Sequence, residues 1–558
     1  MVAEPVAPGR TGVRTFINPL FLASGLLAIV LLFPIAAVFV AASGDSEGLW
    51  SHLASTVLPY YVGNTLILMA GVSVVSLCFG VSSAWVVTRY DFPGSRWFEW
   101  MLLLPAAVPG YLIAYTYTDF LEYAGPVQMA LRALFGWTSA RDYWFPEIRS
   151  MHGAALVMGA VLYPYIYMMA RAAFLTTPAS LLDAGRLANR NLFWGIALPL
   201  ARPAIVAGLA LVLMETISDF GTVEFFAIQT LTLGIFNVWL GMNNLAAASQ
   251  IACVAFVLIL ALLTLETMAR TRRRFADTSR RANTMTALPA RQWKAFFCIL
   301  VCTTPIVIGF LIPVGVLLSF VLKGYSIDLT GAAAEAALNS LSLSAMVAAL
   351  VIASATFMGL VSVYGGGRLL RRLTALASIG YAFPGTILAV GVVTAAGLLD
   401  RGMASLTGYL FGHAQGGWVT SGIGLVVVAC VVRFQAVGYG AVASGLQRVP
   451  SNLIEAGRTL GRTLTGGLVE IVSPLIRTSV AAGGVLVFVD VMKELPMTLL
   501  LRPFNYETLA TFVYQYAKDE LLEEAALPAL LIIAAGILPV IVLSRAISAS
   551  RPGHRRSA

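Results

Sequence analysis

Apolar residues gather into about twelve runs, each close to the roughly 20 residues that a helix needs to cross a hydrocarbon core. Six lie near 16–42, 61–88, 97–121, 151–174, 203–228 and 248–269. Six more lie near 295–322, 339–364, 372–398, 419–445, 476–501 and 525–545. Gly and Ala are frequent within the runs, which suits close helix approach in lipid. The pattern predicts an all-α polytopic membrane protein. A mean hydropathy of +0.84 with 11% charged residues points the same way, because it leaves too little polar surface to cover a water-soluble globule of 558 residues. Arg10 and Arg14 precede the first run and an Ala-Ala-Ser follows it, as around a signal peptide, but the apolar core is too long for one. A retained helix is expected there.

The runs fall into two sets of six with shared landmarks. Asn64-Thr65-Leu66 and Pro109-Gly110 recur as Asn339-Ser340-Leu341 and Pro384-Gly385, and in both sets 45 residues separate the Asn from the Pro. Six is an even number, so both sets enter the membrane from the same side. The expectation is two parallel six-helix repeats related by a pseudo-two-fold axis along the membrane normal. The first half spans 1–269, a linker 270–294, and the second half 295–558.

Charge adds an orientation. With the N-terminus inside, cytoplasmic segments hold 27 of the 36 Lys and Arg, the opposite side 7 and the spans 2. Arg272, Arg273, Arg274, Arg280, Arg281, Arg368, Arg371 and Arg372 are among the 27. Positive loops stay inside, so both termini are predicted to be cytoplasmic. Topology and anionic lipid headgroups account for the net charge of +9 without any nucleic acid. Cys78, Cys253, Cys298, Cys302 and Cys430 all sit in apolar runs and lack partners at zinc spacing, and His52, His152, His413 and His554 are scattered. No metal cluster is expected.

Two polar phrases interrupt the oily pattern, "SLLDAGRLAN" at 180–189 and "NLIEAGRTLG" at 452–461. Thr177-Pro178 reads as an N-cap with proline at the first helical position, and Pro450 stands at the same distance before the second acid. Asn452 and Glu455 have the spacing of a capping box, and Leu453, Ile454, Ala456 and Leu460 form an apolar stripe. Gly461 tolerates the left-handed backbone that stops a helix, and Asn189 is the next most tolerant residue. Pro199 and Pro474 return the chain to the membrane. Each phrase is thus a short helix, a sharp turn and a second short helix. Resting on headgroups would explain one such amphipathic helix. The duplication of acid, glycine and proline together points instead to docking on a protein.

The set Asp183, Ala184, Gly185, Asn189 and Pro199, with Glu455, Ala456, Gly457, Gly461 and Pro474, resembles the EAA loop of binding-protein-dependent ABC importer permeases. That resemblance runs over nearly the whole chain. It implies that the loops, about 177–203 and 449–477, are coupling helices, each seated on one of two ATP-binding cassette subunits. It also implies a periplasmic substrate-binding protein as a further partner and the bacterial inner membrane as the location. No cofactor is expected on this chain, and ATP with Mg belongs on the partner. Asn189 and Ser473 depart from the family's usual glycine and leucine, and 10 residues separate turn from proline in the first loop against 13 in the second. Looser coupling at the first loop is expected. The chain has no GxxxxGK[ST] motif with which to cradle phosphates, so it is expected to be a transport subunit and not an enzyme.

Ionisable residues at membrane depth are the candidate translocation pathway: Glu215, Asp219, Glu224, Arg433, Asp490, Lys493 and Glu494. Asp219 lies 20 residues past Pro199 and Glu494 lies 20 past Pro474, which makes them repeat mates. Asp490 and Lys493, one helical turn apart, either neutralise each other or face the path. Arg433 is a candidate partner for one of the acids. Pro496 should end or kink its helix. Tyr115 is a further candidate, although Tyr111, Tyr115 and Tyr117 with Asp119, and Tyr163, Tyr165 and Tyr167, also read as interfacial aromatic belts. Carboxylate and phenolate oxygens suit a hard cation. Segments 218–239 and 488–520 look like the ferric iron branch of the family, implying Fe(III) as cargo, while fused permeases for thiamine and for phosphonates are built alike. The rival class is a secondary transporter in which Asp219 and Glu494 carry protons or sodium.

Overall fold

The structure is a computed structural model that describes residues 19–549, except 272–286, 327, 328, 330, 365, 366, 412, 414–416, 421 and 451. The arginines of the linker at 272–274, 280 and 281, Arg10, Arg14 and His554 lie outside the described residues.

Helices dominate, as the apolar runs predict. The first set comprises α1 (Pro19–Ala42), α2 (Leu58–Arg89), α3 (Gly110–Leu121), α4 (Met151–Leu175), the short loop helix α5 (Ala179–Leu187), α6 (Leu198–Ser218) and α7 (Leu245–Thr271). The second comprises α8 (Trp293–Leu322, with a π turn at its middle), α9 (Gly331–Tyr364), α10 (Gly385–Phe411), α11 (Gly424–Leu446), the loop helix α12 (Asn452–Thr459), α13 (Ser473–Met492) and α14 (Ala526–Ala549). Among the described residues ten helices are long and apolar enough to cross a membrane, and eleven if one broken pair counts. That pair, Ser95–Ala107 with Gly110–Phe135, bends by 91° where a single span near 97–121 was expected. Pro109 ends one piece and, in extended conformation, starts the next. The twelfth expected run, near 525–545, is α14.

Outward faces are apolar. Leu22, Leu26, Ile29 and Val30 on α1 are more than half exposed, as lipid-facing side chains are. The first helix of each set packs on the other set: α1 lies against α9 and α10, and α8 lies against α2, α3 and α4. One core cluster accordingly includes Tyr111 and Phe220 with Ile306, Leu495, Val513 and Ala529. Within the linker, Leu288–Pro289 pairs in parallel with Tyr90–Asp91, a two-residue ladder that pins α8 beside the end of α2.

The repeat landmarks do the same work in both sets. Asn64 Nδ2 donates to Gln229 O (3.0 Å), and Thr65 Oγ1 accepts from Leu231 N (3.1 Å). Asn339 Nδ2 donates to Glu507 O (3.0 Å), and Ser340 Oγ accepts from Leu509 N (2.7 Å). In each case the Asn and the hydroxyl tie a long helix to the start of a short one, Leu231–Phe236 or Leu509–Lys518. These residues sit inside α2 and α9 and not at their starts, because the helices begin earlier than their apolar runs.

Candidate functional site

The two loop helices end alike. Asn189 (φ 51°) and Gly461 (φ 82°) are both left-handed, the conformation that turns a chain out of a helix. Asn189 N donates to Arg186 O (3.0 Å) and Arg190 N to Gly185 O (2.9 Å). In the second copy Gly461 N donates to Arg458 O (3.0 Å) and Arg462 N to Gly457 O (3.0 Å). Asn191 Oδ1 then accepts from Phe193 N (3.0 Å), while Thr463 Oγ1 accepts from Gly466 N (3.1 Å), so each following helix carries its own N-cap. The second copy fits an extra turn, Leu464–Gly467, before its π turn at Leu468–Val472, whereas the first enters its π turn at Phe193–Ala197 directly. That extra turn is where the three additional residues go. Pro199 and Pro474 each take the second position of a membrane helix, where a missing N–H costs nothing.

Gly185 and Gly457 have a packing reason. A β-carbon on Gly185 would lie 2.0 Å from Ile196 Cδ1, and one on Gly457 would lie 2.9 Å from Ile471 Cδ1. Leu182 and Ile454, equivalent in the two copies, are buried, Ile454 among Leu446, Val472 and Ile476, and Asp183 and Glu455 are exposed. Asp183 pairs with Arg186 of its own helix (3.2 Å). Beside the turns, Leu187 is 90% and Leu460 84% exposed. The stripe expected on α12 is therefore narrower than its sequence suggests, with Ile454 inside and Ala456 and Leu460 outside. Thr177 does not cap α5: its hydroxyl donates back to Ala173 O (3.1 Å), and Pro178 is the residue before the helix. Asn452 is already helical, so it does not stand at the cap position either. Arg462 and Glu470 brace the second copy (2.9 Å), and Gly195 stands where the brace would need its acid in the first.

Deep in the bundle a cavity of about 150 Å³ gathers Glu215, Asp219, Arg433, Asp490, Lys493 and Glu494. Membrane helices break on both sides of it. Asp219 ends α6, and its carboxylate accepts from Thr222 N (3.0 Å), Val223 N (3.2 Å) and Thr222 Oγ1 (2.9 Å), capping the short helix Gly221–Phe225. Glu494, 275 residues later, accepts from Met497 N (3.0 Å) at the start of Pro496–Leu501. α13 thus ends at Met492, before Pro496, and that proline opens the next helix. A β-carbon on Gly110 would lie 2.8 Å from Asp219 Oδ2, and one on Gly385 would lie 2.6 Å from Arg433 Nη1 and 3.1 Å from Glu494 Oε1. The Pro-Gly landmarks are there so that each acid can sit over a helix start, where the helix dipole favours negative charge.

The repeat is broken in its cations. The same offset of 275 pairs Glu215 with Asp490 and Ser218 with Lys493, and the offset of 272 kept by the adjoining loop helices pairs Val161 with Arg433. In the second set Lys493 lies 3.4 Å from Asp490 and Arg433 lies 3.6 Å from Glu494. In the first set uncharged residues stand in both places. Glu215 instead accepts a hydrogen bond from the Tyr381 hydroxyl (2.6 Å). Tyr381 carries no charge and precedes Pro384-Gly385 by one short turn; its signal in the sequence is a phenol where the first set has Ala106.

Two candidates lie away from the cavity. Glu224 bonds to the Tyr514 hydroxyl and to Lys518 Nζ (3.4 Å), across the two sets of helices. Tyr115 is 2% exposed and packs edge-on to Phe225, with ring centroids 4.5 Å apart. Tyr111, Tyr117, Tyr163 and Tyr167 are likewise buried in protein, so they form no belt at a lipid interface. Tyr117 donates to Ile308 O (2.8 Å) and Tyr167 to Glu99 O (3.0 Å); only Tyr111 and Tyr165 of these tyrosines reach the cavity. Among the described residues no three His, Cys, Asp or Glu side chains are placed to hold a metal ion together.

No protein-family model matches the chain. It is similar to the Fe(3+)-transport system permease protein FbpB 2 of Haemophilus influenzae, at 21% identity over 491 residues, which are 87% of this chain and 89% of that protein. The putative ferric transport system permease protein FbpB 1 of the same organism is 22% identical over 520 residues, 86% of this chain and 78% of that one. The molybdate/tungstate transport system permease protein WtpB of Thermococcus kodakarensis is 25% identical over 238 residues, 40% of this chain and 85% of that protein. A multi-pass membrane protein with two matched polar loops, the chain is thus similar along most of its length to ferric transport permeases and over part of it to oxyanion permeases.

Proposed function

We propose that the chain moves Fe(III), delivered by a periplasmic substrate-binding protein, into the cytoplasm. α5 and α12 each dock on one of two ATP-binding cassette subunits that carry the ATP and Mg. The observation that supports the cargo is similarity to ferric permeases along 87% of the chain, which the half-length oxyanion permeases do not match in reach. Chemistry agrees with it. Glu215, Asp219, Asp490 and Glu494 outnumber Lys493 and Arg433 around the cavity, and carboxylate oxygens suit a hard cation. Conduction needs sites weak enough to release what they bind, which a loose set of carboxylates provides.

On this reading residues 1–269 and 295–558 are the two permease halves, 270–294 is a cytoplasmic linker, both termini are cytoplasmic, and the membrane is the bacterial inner membrane. Exposed Leu187 and Leu460 are then covered by the ATP-binding subunits. Asp219 and Glu494 hold the helix breaks open, Glu215 and Asp490 face the cargo, and Glu224 braces the two halves.

The test is uptake by liposomes holding the permease with its ATP-binding and substrate-binding partners. Labelled Fe(III), molybdate, sulfate, thiamine and a phosphonate are offered in parallel. Fe(III) alone should accumulate with ATP. Accumulation of another solute in its place would overturn the cargo and leave the permease intact.

A further inference from the structure

A second cavity, about 330 Å³ and more apolar, lies next to the acidic one. Four helices line both, and each orders them the same way. On α4, Met158 and Val161 face the acidic cavity, and Pro164 and Met168 the apolar one. On α6 the step is from Glu215 to Leu211, on α11 from Arg433 to Val437, and at α13 from Glu494, just past its end, to Leu486. Every step runs toward the end of the helix that joins α5 or α12. The cavities are therefore stacked along the bundle, with the apolar one on the side of the loop helices.

The layer between them is small. Both cavities touch Tyr165, Tyr381, Ala106 and the Asp490–Lys493 ion pair. Tyr165 comes from the first set of helices and Tyr381 from the second, and the Tyr381 hydroxyl donates to Glu215 of the first. Ala106, the repeat mate of Tyr381, is too small to add to the closure. We propose that Tyr165 and Tyr381 are a gate of two aromatic rings between the cavities, latched across the two sets of helices by the Tyr381–Glu215 hydrogen bond. Opening parts the rings and breaks the latch, as any separation of the two sets must. The proposal rests on the permease reading but not on the cargo, because its test reports access alone; failure of Fe(III) uptake leaves it standing.

The test uses the full complex in liposomes without nucleotide, with one cysteine introduced as Ser218→Cys in the acidic cavity or Val437→Cys in the apolar one. A membrane-impermeant maleimide is applied from the side of the loop helices, and modification of the introduced residue is followed by mass spectrometry. Val437→Cys should react readily. Ser218→Cys should react at least about tenfold more slowly, since an open state populated at roughly 10% or less sets its rate. Adding Tyr165→Ala with Tyr381→Ala should remove that difference. Tyr381→Phe, which keeps the ring and loses the latch, should speed Ser218→Cys about fivefold, the factor for one hydrogen bond. If the alanine pair does not assemble with the ATP-binding subunit, Tyr381→Phe decides alone. An unchanged Ser218→Cys rate in the variants, a fast one in the otherwise native chain, or an unreactive Val437→Cys would each overturn the gate.

Discussion

Arg433 and Glu494 lie 3.6 Å apart with side chains only 7% and 5% exposed, and Arg433 Nε and Nη1 make no hydrogen bond among the described residues. Charge, not fork geometry, holds this pair. Removing one member strands the other in a poorly solvated place, which typically costs about 3–5 kcal/mol, whereas replacing both with uncharged groups of similar volume costs little. Arg433→Met alone should therefore lower the thermal unfolding midpoint in lipid nanodiscs sharply, and Arg433→Met with Glu494→Gln should recover most of the loss while keeping the acceptor for Met497 N. Additive losses would show that the two side chains are not a pair. The acids and Arg433 were legible as unusual because charge at membrane depth is rare. Which acid Arg433 meets was not, since 61 residues and a loop helix separate them. Tyr381 is not legible as a site residue, because a phenol in an apolar run looks like packing until its partner Glu215 is seen.

Among the elements, the loop helices carry a natural comparison. Asn189 accepts a backbone that an L residue adopts at a cost of about 1–2 kcal/mol, and Gly461 accepts it freely. Asn189→Gly should slow hydrogen exchange at Arg190 N, and Gly461→Ala should speed exchange at Arg462 N about fivefold, as expected for a loss near 1 kcal/mol in local opening. Equal exchange in all variants would remove the left-handed turn from the account. Most elements could be read from the chain, since apolar runs of membrane length have few alternatives. The bend of 91° before Gly110, the π turns and the shift of the α5 cap from Thr177 to Pro178 could not. The cap shift depends on a competing local contact, the bond from Thr177 to Ala173 O, that hydropathy averages away.

At the scale of the molecule, the recurring bonds of Asn64 and Asn339, the stacked cavities and the two matched loops describe one machine built twice and then made unequal. Its inequality is concentrated in a few positions: Lys493 for Ser218, Arg433 for Val161, Tyr381 for Ala106, and the Arg462–Glu470 brace of the second loop. The exchange of α1 and α8 between the sets means that the halves share a core, so motion at one loop reaches both. The central claim is that ATP-binding subunits drive transport through α5 and α12. It is tested by ATP-dependent solute uptake and complex assembly in liposomes, comparing the native chain with Glu455→Ala plus Gly461→Pro, whose proline cannot adopt φ 82°. The account predicts that the native complex accumulates solute only with ATP and that the variant loses both assembly and uptake. Uptake driven by an ion gradient without any ATP-binding subunit, or a variant that assembles and transports as the native chain does, would contradict it.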